Sequence, residues 1–245
     1  MIALEKVCLR NPRTEEYLLK DISLEINRGD RLAIIGASGA GKTTFLRLLN
    51  RLISPTSGKL KFAGQDYDQI APILLRRQIV LVSQEVRLLE MTVKDALAYP
   101  LVLQNLPPSQ IKETLGYWLE KFHIPGTWLD RPEPQLSLGQ RQWVGLCRAL
   151  ILQPPVLLLD EPTSALDQGR AQDLLGILEV VNQERQTMIL MVNHQLSIAQ
   201  AFATRMIYLQ EGIIMADQES SAVDWGAIAL KLQTHQQQLN REWEE

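Results

Sequence analysis

The octapeptide Gly36-Ala37-Ser38-Gly39-Ala40-Gly41-Lys42-Thr43 constrains this chain more than any other stretch. It spells G-x-x-x-x-G-K-[ST], and its flanks are the ones that pattern requires. The apolar run Leu32-Ala33-Ile34-Ile35 before it reads as a buried strand. Thr44-Phe45-Leu46-Arg47-Leu48-Leu49 follows with the apolar spacing of a helix packed on a sheet. Glycines here let backbone N–H groups wrap an anion that side chains would obstruct. The helix start adds unpaired donors and the positive end of its dipole. Gly36 through Thr44 are therefore expected to cradle a nucleoside triphosphate, with Lys42 reaching its β- and γ-phosphates and the Thr43 hydroxyl ligating Mg²⁺.

Composition narrows the setting. The 245 residues suffice for one large α/β domain or two modest lobes, and 46% apolar content supplies a core. Twenty-five basic against 28 acidic residues give a net charge of −3, which argues against a broad nucleic-acid surface. Cys8 and Cys147 lie far apart, fit no metal or redox spacing, and read as buried thiols in a reducing compartment. No run approaches the roughly 20 apolar residues of a membrane span, and the start lacks a signal-peptide layout. A protein soluble by itself is expected, reaching any membrane through a partner.

Along the chain, Ile2 to Leu9 and Leu18 to Ile26 read as antiparallel strands, and Ser54-Pro55-Thr56-Ser57-Gly58 as the turn that ends the first helix. Short apolar runs recur at Leu60–Phe62 and Ile79–Val82. From about 86 to 150 the pattern is helical. Thr92 and Asp95 form a capping-box signal with Pro100 as the stop, and Ser109 is positioned to cap a second helix whose apolar face is Ile111, Leu115, Trp118, Leu119 and Phe122. Strand and helix then alternate: Val156–Leu159, a helix across roughly 169–183, Met188–Val192, and a closing hairpin, Met206–Leu209 and Ile213–Met215, around Gln210-Glu211-Gly212. Trp225, Ile228, Leu232, Leu239 and Trp243 recur at helical spacing in the Gln-rich tail. The expected units are a core of 1–85 and 151–217, a helical lobe of 86–150, and a tail of 218–245.

Two further elements carry chemistry. Val156-Leu157-Leu158-Leu159-Asp160-Glu161-Pro162 is a buried strand that delivers two carboxylates at its C-terminal edge, where ligands bind in open α/β sheets. Asp160 is placed to hold Mg²⁺ and Glu161 to face an attacking water as general base, a role worth roughly 10²–10⁴-fold in rate. Leu136-Ser137-Leu138-Gly139-Gln140 opens another helix with a small hydroxyl and a glycine, suited to a second phosphate.

The order of these motifs resembles the ATP-binding subunit of ATP-binding cassette (ABC) transporters from about residue 2 to 216. The matching positions are the P-loop, Gln84, Leu-Ser-x-Gly-Gln, Leu-Leu-Leu-Asp-Glu-Pro, Ser164-Ala165-Leu166-Asp167 and Asn193-His194. The resemblance implies an α/β P-loop NTPase (RecA-like) core with an N-terminal antiparallel β subdomain and an inserted α-helical subdomain. It implies ATP and Mg²⁺ as cofactors, with Gln84, Glu161 and His194 as catalytic groups and Thr43, Gln84 and Asp160 around the metal. Ser137 and Gly139 would reach the γ-phosphate held by a second copy, and Asp167 would lie at that interface. The implied assembly is a homodimer driving an integral membrane permease from the cytoplasmic face. His123 and His235 match nothing in the family pattern.

Three positions depart from that pattern. Leu138 replaces a glycine and Asn193 a threonine. Tyr17 is the nearest candidate for the ring that stacks on adenine, although its place beside Leu18-Leu19 equally suits packing. The stretch Asp95-Ala96-Leu97-Ala98-Tyr99-Pro100 is similar to cassettes paired with small metal-exporting permeases, iron exporters included. The competing class is a soluble ABC ATPase of DNA maintenance or translation, whose members carry coiled-coil insertions or two cassettes. A third is a non-catalytic nucleotide sensor, against which Glu161 and His194 argue.

Overall fold

The computed structural model describes the backbone of residues 1–244 and the side chains of residues 1–234. The first strands, β1 (Ile2–Arg10) and β2 (Tyr17–Ile26), pair antiparallel, with Ile2 opposite Ile26 and Arg10 opposite Tyr17. Strand β3 (Arg31–Ile35) leads through the glycine loop into helix α1 (Lys42–Leu49). Strands β4 (Ser57–Phe62) and β5 (Gln65–Asp66) then complete a four-stranded sheet in the order β2-β1-β4-β5. Ser57 and Gly58, expected in a turn, already belong to β4. The Cys8 carbonyl accepts the Thr56 N–H at 2.8 Å and captures the chain for pairing two residues earlier.

Helix α2 (Pro72–Gln78) feeds β6 (Ile79–Val82), and a helical block follows: α3 (Val93–Val102), α4 (Pro108–Lys121) and α5 (Leu138–Leu150). Thr92 caps α3 as expected, its hydroxyl accepting the Asp95 N–H at 3.2 Å. Pro100 does not stop that helix; it lies inside, because burial of Leu101 against the core carries the last turn onward. Nor does Ser109 cap α4. Pro107 holds that place and Pro108 opens the helix, its fixed φ suiting a first helical position. Trp118 and Phe122 are buried in the same core as Trp143, with Ile111, Leu115 and Leu119 packed against it.

The remainder is β7 (Val156–Asp160), α6 (Gln168–Arg185), β8 (Met188–Val192), α7 (Leu196–Phe202), β9 (Arg205–Gln210), β10 (Ile213–Glu219) and α8 (Trp225–Glu244). A six-stranded sheet runs β10-β9-β3-β8-β7-β6, parallel except for β10. All five residues of β7 and of β8 are buried. That explains their unbroken apolar sequence, since parallel strands covered on both faces have no solvent side. Ile228 of α8 is buried against Ala33, Ile35 and Tyr208, so the start of the tail docks on its own core. The side chains of His235, Leu239 and Trp243 lie outside the described residues.

Candidate active site

Parallel pairing fixes where the motifs meet. Because β3, β8, β7 and β6 are neighbours running in one direction, the residues that follow them gather at a single sheet edge. Those residues are the glycine loop, His194, Glu161 and Gln84. They line one cleft of about 690 Å³ with Tyr17.

The loop is built for backbone display. Gly39 and Gly41 have φ of +78° and +98°, in the left-handed region that side chains disfavour. A Cβ at Gly41 would also stand 2.9 Å from the Leu18 carbonyl oxygen. The buried Lys42 ammonium donates to the carbonyls of Gly36 (2.8 Å) and Ala37 (2.7 Å), curling the loop over itself. Burial lowers the Lys42 pKa from its ordinary value, opposed by the nearby Glu161 and Asp160 carboxylates.

Thr43 and Asp160 face one another, with the hydroxyl donating to Asp160 Oδ1 at 3.2 Å. Burial pushes the Asp160 carboxyl above the usual carboxylate range, against the Thr43 hydrogen bond, and the Glu161 charge adds in the same direction. Among the described residues no group of three His, Cys, Asp or Glu side chains is placed to hold a metal alone. A hydroxyl and one carboxylate fit a hard cation that takes its other ligands from phosphate and water, the usual manner of Mg²⁺.

Glu161 leaves the strand with φ of +52°, which turns its side chain into the cleft. One carboxylate oxygen accepts Gln84 Nε2 at 3.0 Å and the other lies 2.6 Å from His194 Nε2. Ser137 and Gly139 stand outside this cleft at the start of α5. Ser137 accepts the Gln140 N–H while Gln140 Oε1 accepts the Ser137 N–H, a complete capping box. Gly139 sits so close to the loop after Glu161 that a Cβ would come within 2.6 Å of the Ala165 carbonyl oxygen. Leu138 beside it is 57% exposed and projects from the helix start. Asp167 caps α6, accepting the Arg170 N–H at 2.9 Å.

Tyr17 is not packed inward. It is 41% exposed, at the cleft wall, with the Arg10 guanidinium 4.4 Å from its ring centre and donating to its hydroxyl. The contacts that support the site were not apparent from the sequence, including those of Asn193, which was marked only by its place before His194 in the family pattern. Buried Asn193 donates to the Thr163 hydroxyl at 2.7 Å and accepts the Gln195 N–H at 2.8 Å, joining the His194 and Glu161 loops. Gln142 donates to the Pro162 carbonyl at 3.3 Å, tying α5 to the same loop. Glu211 and Gly212 of the β9–β10 turn also line the cleft, and the Gly212 N–H donates to the Ala40 carbonyl. The sequence showed the hairpin through its flanking apolar runs, but not that its turn reaches the cleft.

A glycine loop between β3 and α1, facing a carboxylate-bearing strand end, defines a P-loop nucleotide-binding core. The sequence model of the ABC transporter family matches residues 19–164, and the chain belongs to that family. The methionine import ATP-binding protein MetN of Cupriavidus pinatubonensis is 38% identical over 223 residues, covering 89% of this chain and 64% of that protein. A MetN 3 protein of Oceanobacillus iheyensis is 36% identical, covering 80% of this chain and 59% of its own length. The chain thus spans less than two thirds of these curated relatives. Among solved structures, the ATP-binding cassette MJ0796, a dimer in a post-hydrolysis state with ADP and Pi, shares 27% identity and a TM-score of 0.82, covering 90% of this chain and 99% of that one. A CbiO1 protein of Clostridium perfringens, part of the ABC transporter complex cbiONQ, shares 25% identity and a TM-score of 0.79 over 97% of this chain and 94% of its own.

Proposed function

We propose that this chain is a Mg²⁺-dependent ATPase that works as a homodimer and powers a separate membrane permease. The observation that carries the reading is the placement of Glu161 between Gln84 and His194, across the cleft from the Lys42 loop. The loop N–H groups and Lys42 bind the triphosphate tail of ATP, and Tyr17 offers a ring to the base. Thr43 and Asp160 hold Mg²⁺, with Gln84 beside them. Bound there, the ion neutralises charge that develops on the phosphates. Glu161 takes a proton from the attacking water, and His194 orients that carboxylate and contacts the γ-phosphate.

Ser137 and Gly139, which stand outside their own chain's cleft, serve the cleft of a second copy. The solved dimer with ADP and Pi supports this arrangement. Among the described residues no helix is long and apolar enough to cross a membrane. In this reading the permease is an integral membrane protein, and this chain docks on it from the cytoplasmic face. A groove of about 430 Å³ between the loop after β6 and helices α3 and α5 offers it a seat next to Gln84.

The names of the relatives bring methionine, or a small solute like it, as the proposed cargo, and import as the direction. They replace the analogy with metal exporters drawn from residues 95–100. The competing soluble class of DNA maintenance or translation gains no support from them. Wild-type chain should hydrolyse ATP only with Mg²⁺, and Lys42→Ala should lose that activity. With its permease in vesicles, it should drive methionine uptake. Metal efflux instead would reject the cargo, and ATPase activity unchanged by Lys42→Ala would reject the site.

A further inference from the structure

Glu133 carries a carboxylate that is only 7% exposed and that has no part in the chemistry above. A buried charge needs partners, and those of Glu133 lie on two separate pieces of the chain. Its Oε2 accepts the N–H groups of Leu88 at 2.9 Å and of Glu90 at 3.1 Å. Its own N–H donates to the Met91 carbonyl at 3.2 Å. Leu89 and Glu90 both have φ of +60°, so the carboxylate holds a strained turn in place. The other oxygen lies 3.8 Å from Arg141 Nη1, on the first turn of α5, whose own N–H donates to the Ser137 carbonyl.

Two more contacts strap the same loop to α5. Arg148 Nη2 donates to the Arg87 carbonyl at 2.8 Å. Gly145 leaves room for Val86, whose side chain would overlap any Cβ there. The loop begins at Gln84, which touches Glu161, and Glu85, Val86, Arg87 and Leu89 form a wall of the groove beside α3.

We propose that Glu133 is a positioning residue that makes the loop 84–91 and the first turn of α5 move as one body. A displacement of the groove wall then reaches Gln84 and Ser137 together. The functional meaning of this coupling rests on the reading of Ser137 and of the groove given above; the mechanical link itself does not. Charge matters as well as shape, because hydrogen bonds to an ionised acceptor are about twice as strong as neutral ones. Glutamine at 133 keeps the volume and an acceptor but faces Arg141 uncharged.

Amide hydrogen exchange on the full chain tests the link without using activity. In Glu133→Gln, exchange at Leu88 and Glu90 should quicken by about tenfold or more, and exchange at Gln140 and Arg141 should quicken with it, while α4 is unchanged. Arg141→Met, which attacks the other end, should quicken Leu88 and Glu90 in return. The turnover number of Glu133→Gln should fall by roughly tenfold while KM for ATP stays within about twofold. Faster exchange confined to 88–90, or spread through α4 and β7 with a fall in Tm, would overturn the proposal. A wild-type chain without ATPase activity would reject the proposed function, while coupled exchange would still establish the link.

Discussion

His194 Nε2 lies 2.6 Å from Glu161 Oε1, and the other oxygen of that carboxylate accepts Gln84 Nε2 at 3.0 Å. Both neighbours arrive from strands adjacent to β7, so the orientation of Glu161 is set by the sheet itself. These contacts hold the carboxylate in the cleft and help offset the cost of the backbone φ of +52° that turns it there.

Removing the imidazole should therefore impair chemistry and spare binding. His194→Ala is expected to lower the turnover number by about 10²-fold or more, within the range for a positioned proton-transfer system. Affinity for ATP, read by titration calorimetry, should change by only a few-fold. Equal losses in both would place His194 in ground-state binding instead.

If Ser137 acts on a second copy, defects on opposite surfaces complement one another. Lys42→Ala and Ser137→Arg chains should each be inactive alone. Mixed in equal amounts they should regain roughly a quarter of wild-type turnover, since half the symmetric dimers are mixed and each holds one intact site. No recovery on mixing would contradict the composite site.

Gly139 is held against the Ala165 carbonyl, where a Cβ would stand at 2.6 Å. Gly139→Ala must push the start of α5 away from the loop after Glu161. ATP binding by the isolated cleft should persist, and hydrolysis should fall by about tenfold or more, as for displaced positioning groups. Stopped-flow binding and steady-state turnover on the same preparation separate the two.

Asp160 gives a dependence on pH. Burial raises its folded pKa above the unfolded value, so its contribution to stability is present at low pH and lost as pH rises through the folded pKa. At neutral pH the buried charge is a cost, and Asp160→Asn removes it while keeping an acceptor for Thr43. Without ligand, the variant should melt higher than wild type at pH 7, as expected when a buried charge is removed. The gap should close as pH falls towards about 4, and stabilisation by Mg²⁺ with ATP should vanish. A wild type that melts higher at pH 7 would contradict this.

The parts legible in the sequence were those whose partners are close in the chain or whose pattern is periodic. The loop at Gly36–Thr43, the unbroken runs of β7 and β8 and the Ser137 cap all depend on neighbours within a few residues. The supports of the site were not legible. Gln142 meets Pro162 across 20 residues, Asn193 meets Thr163 across 30, and Glu133 meets Leu88 across 45. Gln142 and Glu133 looked like ordinary polar residues, and Asn193 was marked only by its neighbour His194, until the fold supplied their partners. Pro100 and Ser109 misled for a related reason: a local stop or cap signal yields when a buried Leu101 or a better-placed Pro108 prevails.

The most direct test of the composite site is the mass of Glu161→Gln in solution, measured by light scattering with and without ATP. The substitution keeps the shape of the side chain and removes the proposed base. The expected result is a monomer that becomes a dimer with two trapped ATP molecules and almost no turnover. A chain that stays monomeric with ATP bound, or that still hydrolyses it at a near-normal rate, would contradict the central claim.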